Sequence, residues 1–375
     1  MRAKKKMLKN KNKLLYQRIK KVKASLKEKK LDALIISSLH NRYYLTGWLG
    51  DEDSGFVLLT PSDSYIITDS RYTEHAMKET SGFEVIETRE GIGPSLKDIA
   101  AQQKLKKVGY ESRHISVYSL CRLKKYLAST KLVATSFLIE ELRSIKEPIE
   151  LDFIKGAVNI AEGSFKHILG FIKVGMKEEE IAWELEKKMK ENGAKALAWE
   201  PIIVATGANS SMVHWGASDS KVKEGNQVLL DYGCSYRGYV SDISRVVFIG
   251  KPSKKQKKIY DLVLDAQELA LSLVKAGRGV STIDKKVRNF LEKHTKYYYR
   301  HALGHGVGLE VHELPYVNIS RKNKLAVGNV ITIEPGIYIP GWGGVRIEDM
   351  VLVTKEGCKL LTKAPKKIED VTILS

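Results

Sequence analysis

The sequence predicts two unlike domains behind a basic leader: the leader over residues 1–13, an α/β domain over 14–142 and an α+β domain over 143–375. Three observations carry this reading. In the first half, short apolar strands alternate with stretches of helical period, the pattern of an α/β layer. In the second half, long amphipathic helices are interleaved with strands that pair through short turns, so hairpins predominate. Between the halves, residues 143–148 read as a linker, with Pro148 set up as the first residue of a helix. A chain of 375 residues has room for two substantial cores.

Strands are expected at 31–38, 55–60, 65–69, 83–88 and 107–111, each rich in Val, Ile, Leu or aromatics and bounded by Gly, Pro, Asp or Ser. Helical periodicity falls between them at 71–80, 94–103 and 117–127. After the linker, amphipathic helices are expected at 149–172 and 178–192, the second closed by Gly193. Residues 254–258 read as a basic loop leading into a helix. Ser281-Thr-Ile-Asp284 resembles a capping box, with Asp in place of Glu or Gln, for a helix running to about His294. Strands are expected at 201–206, 227–233, 239–249, 329–339 and 345–353.

The formal charge of +19 is unevenly spread. Residues 1–30 hold twelve Lys and two Arg against one Glu, which leaves only about +6 for the other 345 residues. The charge belongs to a leader and first helix, not to the body of the protein. It reads as a solvated leader, with contact to RNA or an acidic surface as the alternative. Elsewhere no basic ribbon is interleaved with aromatics in the manner of base-stacking proteins. Apolar stretches such as 33–36 and 57–59 are far too short to cross a bilayer. No apolar h-region or cleavage site follows the basic start, so no signal peptide is expected. Three cysteines, Cys121, Cys234 and Cys358, without CxxC spacing, point to a reducing compartment, the cytoplasm.

The strongest signal is a pair of acid-bearing hairpins. From Val228 to Asp242 two strands flank a turn that would centre between Tyr236 and Arg237, setting Asp231 opposite Asp242. A bulge would shift that register. From Ile333 to Glu348 a Pro-Gly-Trp-Gly-Gly turn centres on Gly341 and sets Glu334 opposite Glu348. Opposed carboxylates about 5 Å apart would each cost about 3 kcal/mol at an effective dielectric near 20. Arg346 could relieve one pair; two pairs in one domain call for cations, and two divalent ions supply the charge. Oxygen-rich ligation with one imidazole suits Mn2+, Co2+ or Zn2+.

The histidines fall in the same half. His301, His305 and His312 lie within twelve residues, and Gly304 and Gly306 on either side of His305 would let the backbone approach a ligand. His312-Glu313 lacks the second His of HExxH, Gly304-x-Gly306 lacks the last glycine of a dinucleotide fingerprint, and no GxSxG occurs.

On these motifs the chain resembles the Xaa-Pro aminopeptidase and prolidase family of metallopeptidases. Leu31-Asp-Ala-Leu-Ile-Ile, Asn41-Arg-Tyr-Tyr-Leu-Thr-Gly47 and Asp69-Ser-Arg-Tyr72 are similar to its creatinase-type N-terminal domain. Asp231 with Gly238-Tyr-Val-Ser-Asp242-Ile-Ser-Arg245 is similar to its paired-aspartate motif. His305 with His312-Glu-Leu-Pro315, and Glu334-Pro-Gly-Ile-Tyr338 with Gly344-Val-Arg-Ile-Glu-Asp349, are similar to the other two. The resemblance implies a pita-bread catalytic domain over 143–375 holding two divalent ions. Asp231 would hold one, His305 and Glu334 the other, and Asp242 and Glu348 both. It further implies Glu334 as general base and acid, and His312 as hydrogen-bond donor to the scissile carbonyl. His214 would line the proline side, His301 would lie at the substrate pocket or behind it, and Arg346 would orient carboxylates.

Two departures from the family pattern stand out: Val213-His214-Trp215 where Pro-His-Gly is common, and Cys234 where a small Ala is usual. The expected activity is cleavage between an N-terminal residue and proline in small peptides, an aminopeptidase first and a dipeptidase second. Methionine aminopeptidase resembles the site but usually lacks this N-terminal domain. A metal-free binding module using the basic leader is the alternative of another class. A homodimer and no membrane contact complete the expectations.

Overall fold

The computed structural model describes the backbone of residues 2–374 and the side chains of residues 12–374. Most side chains of the basic leader therefore lie outside the described residues. The chain divides into two compact units, Met1–Arg143 and Ser144–Ser375.

The first unit runs α1 (Arg2–Glu28), β1 (Ala33–Ile36), α2 (Leu39–Thr46), β2 (Phe56–Leu59), β3 (Ser64–Thr68), α3 (Thr73–Glu79), β4 (Glu84–Glu87), α4 (Ile92–Gln102), β5 (Lys107–Glu111), α5 (Val117–Tyr126), β6 (Lys131–Thr135) and α6 (Leu138–Ser144). One six-stranded sheet has the order β4-β3-β2-β1-β5-β6. β1, β5 and β6 run parallel, as do β3 and β4, while β2 is antiparallel to both neighbours. Ala33, Ile35, Leu58, Ile67 and Val108 pack from the sheet against Leu96, Ile99 and Leu123 of α4 and α5. Helix α2 was not expected from periodicity. Its signals are caps: the Ser38 side chain accepts from the Asn41 amide, and Gly47 closes the helix at φ 69°.

The second unit opens with α7 (Pro148–Phe171), α8 (Glu178–Glu191), β7 (Ala196–Leu197), β8 (Ile203–Thr206) and a 3-10 turn at Gly207–Ser211. It continues through β9 (Gln227–Tyr232), β10 (Cys234–Tyr236), β11 (Tyr239–Val240), β12 (Ile243–Ile249), α9 (Lys254–Leu273) and α10 (Val280–Glu292). It ends with β13 (Gly304–Gly306), β14 (Glu313–Val317), β15 (Val330–Ile333), β16 (Gly336–Ile339), β17 (Gly343–Arg346), β18 (Asp349–Val353), β19 (Cys358–Leu360) and β20 (Thr372–Ile373). The sheets that matter for the site are β20-β12-β9-β8, β14-β13-β15-β18-β19 and the hairpin β16-β17. Helices α7 to α10 cover them, burying Phe165, Ile181, Val263 and Val287 in one core with Leu229, Val246 and Ile331. All seven residues of β12 are buried, so even its Ser244 and Arg245 must find partners inside.

Five expectations are corrected. Residues 254–258 are not a loop: Ser253 caps α9 and makes the reciprocal box with Gln256, so the lysines form its first turns. Ser281 does not cap α10, which starts at Val280 behind Gly279 with no side-chain cap. The strand expected at 239–249 is interrupted between β11 and β12. Those expected at 329–339 and 345–353 break at Glu334-Pro335 and Ile347-Glu348, where Pro335 has no amide to give the ladder. Each interruption carries an acid: Asp242, Glu334 and Glu348. Among the described residues, no helix is long and apolar enough to cross a membrane.

Candidate metal centre

The first hairpin turns on Arg237 and Gly238, both at positive φ (52° and 79°), a two-residue turn that sets the register. Ser235 pairs with Val240, and Asp231 pairs with Ser244. Asp231 and Asp242 are therefore not directly opposed, contrary to expectation. The turn sits one residue later than the sequence suggested, so the pairing moves by two. The two acids become diagonal neighbours on one face, about 7–8 Å apart along the backbone. The second hairpin keeps the expected register. Ile333 pairs with Asp349 and Gly336 with Arg346, which sets Glu334 opposite Glu348 where the ladder is broken.

His305 rides on β13, between β14 and β15. Its flanking glycines serve the sheet. A Cβ on Gly304 would lie 2.0 Å from the Thr332 carbonyl oxygen, and one on Gly306 would lie 2.2 Å from that of Leu314. The His305 amide donates to Thr332 Oγ1, and its Nδ1 pairs with the Gly306 carbonyl at 3.2 Å. That leaves Nε2 facing the acids, 3.2 Å from Glu334 Oε1 and 3.6 Å from Asp242 Oδ2. Asp242, His305 and Glu348 are buried and offer ligand atoms within 4.8 Å of one another.

Arg346 organises the other side. Its Nη2 donates to Asp231 Oδ2, its Nε to Ser244 Oγ at 2.9 Å and its Nη1 to Tyr338 Oη at 2.9 Å. Ser244 passes the constraint on, donating to Glu348 Oε2 at 2.7 Å. Thr332 donates to Glu334, and His301 pairs with Tyr338 at 3.0 Å while its other nitrogen lies 3.9 Å from Glu334. Behind these, Asp349 accepts from Arg245, Thr362, Lys366 and Gln267, and Arg245 also donates to the Glu348 carbonyl.

The electrostatics show a site short of positive charge. Burial and the Asp231 charge push Asp242 well above the carboxylate range. Burial and the Asp242 and Glu334 charges do the same to Glu348, and burial raises Asp231 against the pull of Arg346. Burial opposes the charge on His305, but the hydrogen bond to Glu334 and the charges of Glu334 and Asp242 prevail and raise it to about 9. Burial likewise opposes ionisation of Glu334, yet its His305 hydrogen bond and charge hold it at about 2. A proton on His305 thus does part of a cation's work. Two buried carboxylate oxygens, Asp231 Oδ1 and Glu348 Oε1, have no hydrogen-bond partner. Orphaned acceptors beside raised carboxylates fit divalent ions.

The remaining predicted residues line the open side. The His312 ring lies 4.3 Å from that of His305 and is exposed at its rim. Burial, then the His305 charge, lowers it to about 4. His214 is exposed on a segment anchored by Glu178, a residue the sequence reading passed over. This fully buried carboxylate accepts from the Thr206 amide, Asn209 Nδ2, Trp215 Nε1, and the amide and hydroxyl of Ser218. Trp215 thus has a structural use. The 3-10 turn is also pinned to β17, where the Gly344 amide donates to Ser210 Oγ and a Cβ would lie 2.1 Å from the Ser210 carbonyl oxygen. Cys234 is buried beside the Ala157 carbonyl, and burial raises its thiol to about 11, so it packs and does not react.

Family models match both units: residues 152–355 fit metallopeptidase family M24, and residues 18–145 fit the creatinase/prolidase N-terminal domain. The chain belongs to metallopeptidase family M24. It is 36% identical over 356 residues to the Xaa-Pro dipeptidase of Pyrococcus horikoshii, covering 95% of this chain and 99% of that one. Among solved structures, a Bacillus anthracis Xaa-Pro dipeptidase superposes with a TM-score of 0.91 at 36% identity, over 96% of this chain and all of that one. The Thermotoga maritima X-Pro aminopeptidase superposes at 0.84 and 35% identity, over 92% and 98%. This M24 metallopeptidase therefore combines a creatinase-type N-terminal domain with a pita-bread catalytic domain, and is a hydrolase of a family that works with divalent metal.

Proposed function

We propose that this M24 metallopeptidase cleaves the bond between an N-terminal residue and proline, with Xaa-Pro dipeptides as its favoured substrates. The observation that carries the peptidase chemistry is the buried group of Asp242, His305 and Glu348, with Glu334 against His305, Asp231 held by Arg346, and two carboxylate oxygens left unpartnered. The preference for dipeptides rests on relatives named Xaa-Pro dipeptidase. Sequence reasoning ranked the aminopeptidase first, and the similarity to an X-Pro aminopeptidase keeps it as the second reading.

In this proposal Asp231 would hold one divalent ion and His305 with Glu334 a second, Asp242 and Glu348 would complete the donor set, and Mn2+, Co2+ or Zn2+ would suit it. Such ions supply Lewis acidity and the positive charge that lets water ionise near neutral pH. Glu334, ionised across the working range, takes a proton from the attacking water and returns it to the leaving proline nitrogen. His312 is neutral near pH 7 and donates a ring N–H to the scissile carbonyl, where negative charge develops. His214 borders the proline side. Arg346 holds Asp231 directly and Glu348 through Ser244, and His301 sits between Glu334 and Tyr338. A cytoplasmic homodimer completes the proposal, and light scattering at micromolar concentration checks the assembly.

The specificity test compares Ala-Pro with Ala-Pro-Ala on Mn2+-loaded protein. Faster cleavage of the dipeptide supports the proposal; faster cleavage of the tripeptide makes the enzyme an aminopeptidase; cleavage of neither refutes both.

A further inference from the structure

The most one-sided charge in the molecule lies far from any catalytic residue in sequence, and nothing in the peptidase account uses it. Helix α1 spans 27 residues, a rod about 40 Å long. Leu15, Ile19, Val22 and Leu26 recur every three or four residues and are buried, so one stripe of the helix is spent on packing. Another stripe is exposed and cationic: Lys13, Lys20 and Lys27, with Gln17 and Ala24 between them. Carried back along the sequence, the same spacing reaches Lys9, Lys6 and Arg2. Glu28 is the one acid in the helix. The family's N-terminal domain match begins at residue 18, so four of these six cations precede it in the sequence.

A second observation adjoins the stripe. Tyr16 is 68% exposed between Lys13 and Lys20. It lines a groove of about 890 Å3 with Lys20 and Lys23, and Phe83 lies on the far wall. Asp63 and Glu84 also line that groove and balance its two lysines, and Lys23 donates to the Ser62 carbonyl, so the net positive charge is that of the stripe beside the groove.

We propose that α1 and this groove bind single-stranded nucleic acid, the lysine stripe following the phosphates and Tyr16 stacking on a base. Polyphosphate binding needs a line of cations, and base binding needs an exposed aromatic beside it; both are present. A bilayer surface would instead need a free apolar face. Among the described residues of α1, the large apolar side chains are buried or half-buried, and only Tyr16 is exposed.

The test measures fluorescence anisotropy of labelled oligouridylate and oligodeoxythymidylate, each about 20 nucleotides long, with the full-length protein from about 50 to 200 mM salt. Binding should weaken with salt at a log–log slope near −0.7 per cation engaged. The K13Q/K20Q/K27Q variant should reduce that slope by about 2, and Y16A should weaken binding about fivefold or more. Both variants should keep the wild-type circular dichroism melt and Ala-Pro hydrolysis. Comparing the two oligomers tells RNA from DNA. Three results would overturn the proposal: no binding of either oligomer at low salt, a slope unchanged in the lysine variant, or tighter binding to phosphatidylglycerol vesicles than to the oligomers.

Discussion

Ser244 and Glu178 touch no substrate in the proposed mechanism, yet Ser244 fixes two residues of the centre and Glu178 fixes the loop that carries His214. The Ser244 hydroxyl accepts from Arg346 and donates to Glu348, so it ties the two hairpins together at their acids. Ser244→Ala removes that tie while leaving every proposed ligand in place. We expect metal affinity to fall about tenfold to a hundredfold, read by calorimetric titration of the chelated protein. Glu178 spreads five donors over two oxygens, and Glu178→Gln turns one of those oxygens into a donor facing donors. Unsatisfied buried groups cost about 1–3 kcal/mol each, so the melting temperature should drop by several degrees. Because the loop that loosens carries His214, kcat/KM for Ala-Pro should also fall, by about tenfold, while metal affinity holds. Equal losses in both quantities would mean that Glu178 supports the centre and not the loop.

At the level of elements, what could be read from the sequence depended on what closes each one. The Glu334/Glu348 hairpin was legible because Pro340-Gly-Trp-Gly-Gly344 admits one turn, and the same register runs from Val330 to Val353. The Asp231/Asp242 hairpin was misjudged by two in pairing because Arg237, not a usual residue at positive φ, occupies the turn beside Gly238. Both acids still reach one face, since a shift of two preserves the alternation of sides. Residues 254–258 hid a helix start because five residues with four lysines look like a solvated loop until Ser253 and Gln256 are recognised as a box. Glu178 looked like an ordinary acid in the first turn of a helix, favoured there by the dipole. Its five partners lie 28 to 40 residues away, and no local pattern announces them. Behind the centre, Asp349 is held below the usual carboxylate range: burial works against its charge, but Arg245 and Lys366 prevail. A depressed carboxylate stabilises the fold above its unfolded value near 4 and loses that effect as pH falls through the folded one. Asp349→Asn should therefore flatten the acid side of the pH–stability curve and lower stability near pH 7, measured by urea unfolding.

For the whole molecule, charge shortage at the centre sets how stability depends on pH and metal together. Asp231, Asp242 and Glu348 bind their protons more tightly folded than unfolded, and His305 keeps its proton up to about 9. Each of these groups stabilises the metal-free fold at acidic pH, and that contribution is withdrawn as pH rises through the folded values. Glu334, depressed to about 2, acts in the opposite sense, and its contribution changes only at more acid pH. The chelated protein should thus melt at a lower temperature near pH 9 than near pH 6, and saturating Mn2+ should remove most of that difference. A melting temperature indifferent to metal at both values would separate the fold from the centre.

The central claim is that these five side chains hold two ions that hydrolysis requires. Its most direct test is to strip the protein with chelator, add Mn2+ back in steps, and follow Ala-Pro hydrolysis against bound metal. The account predicts no cleavage by the stripped protein and full activity at two ions per chain. Cleavage without metal, or full activity at one ion, would contradict it.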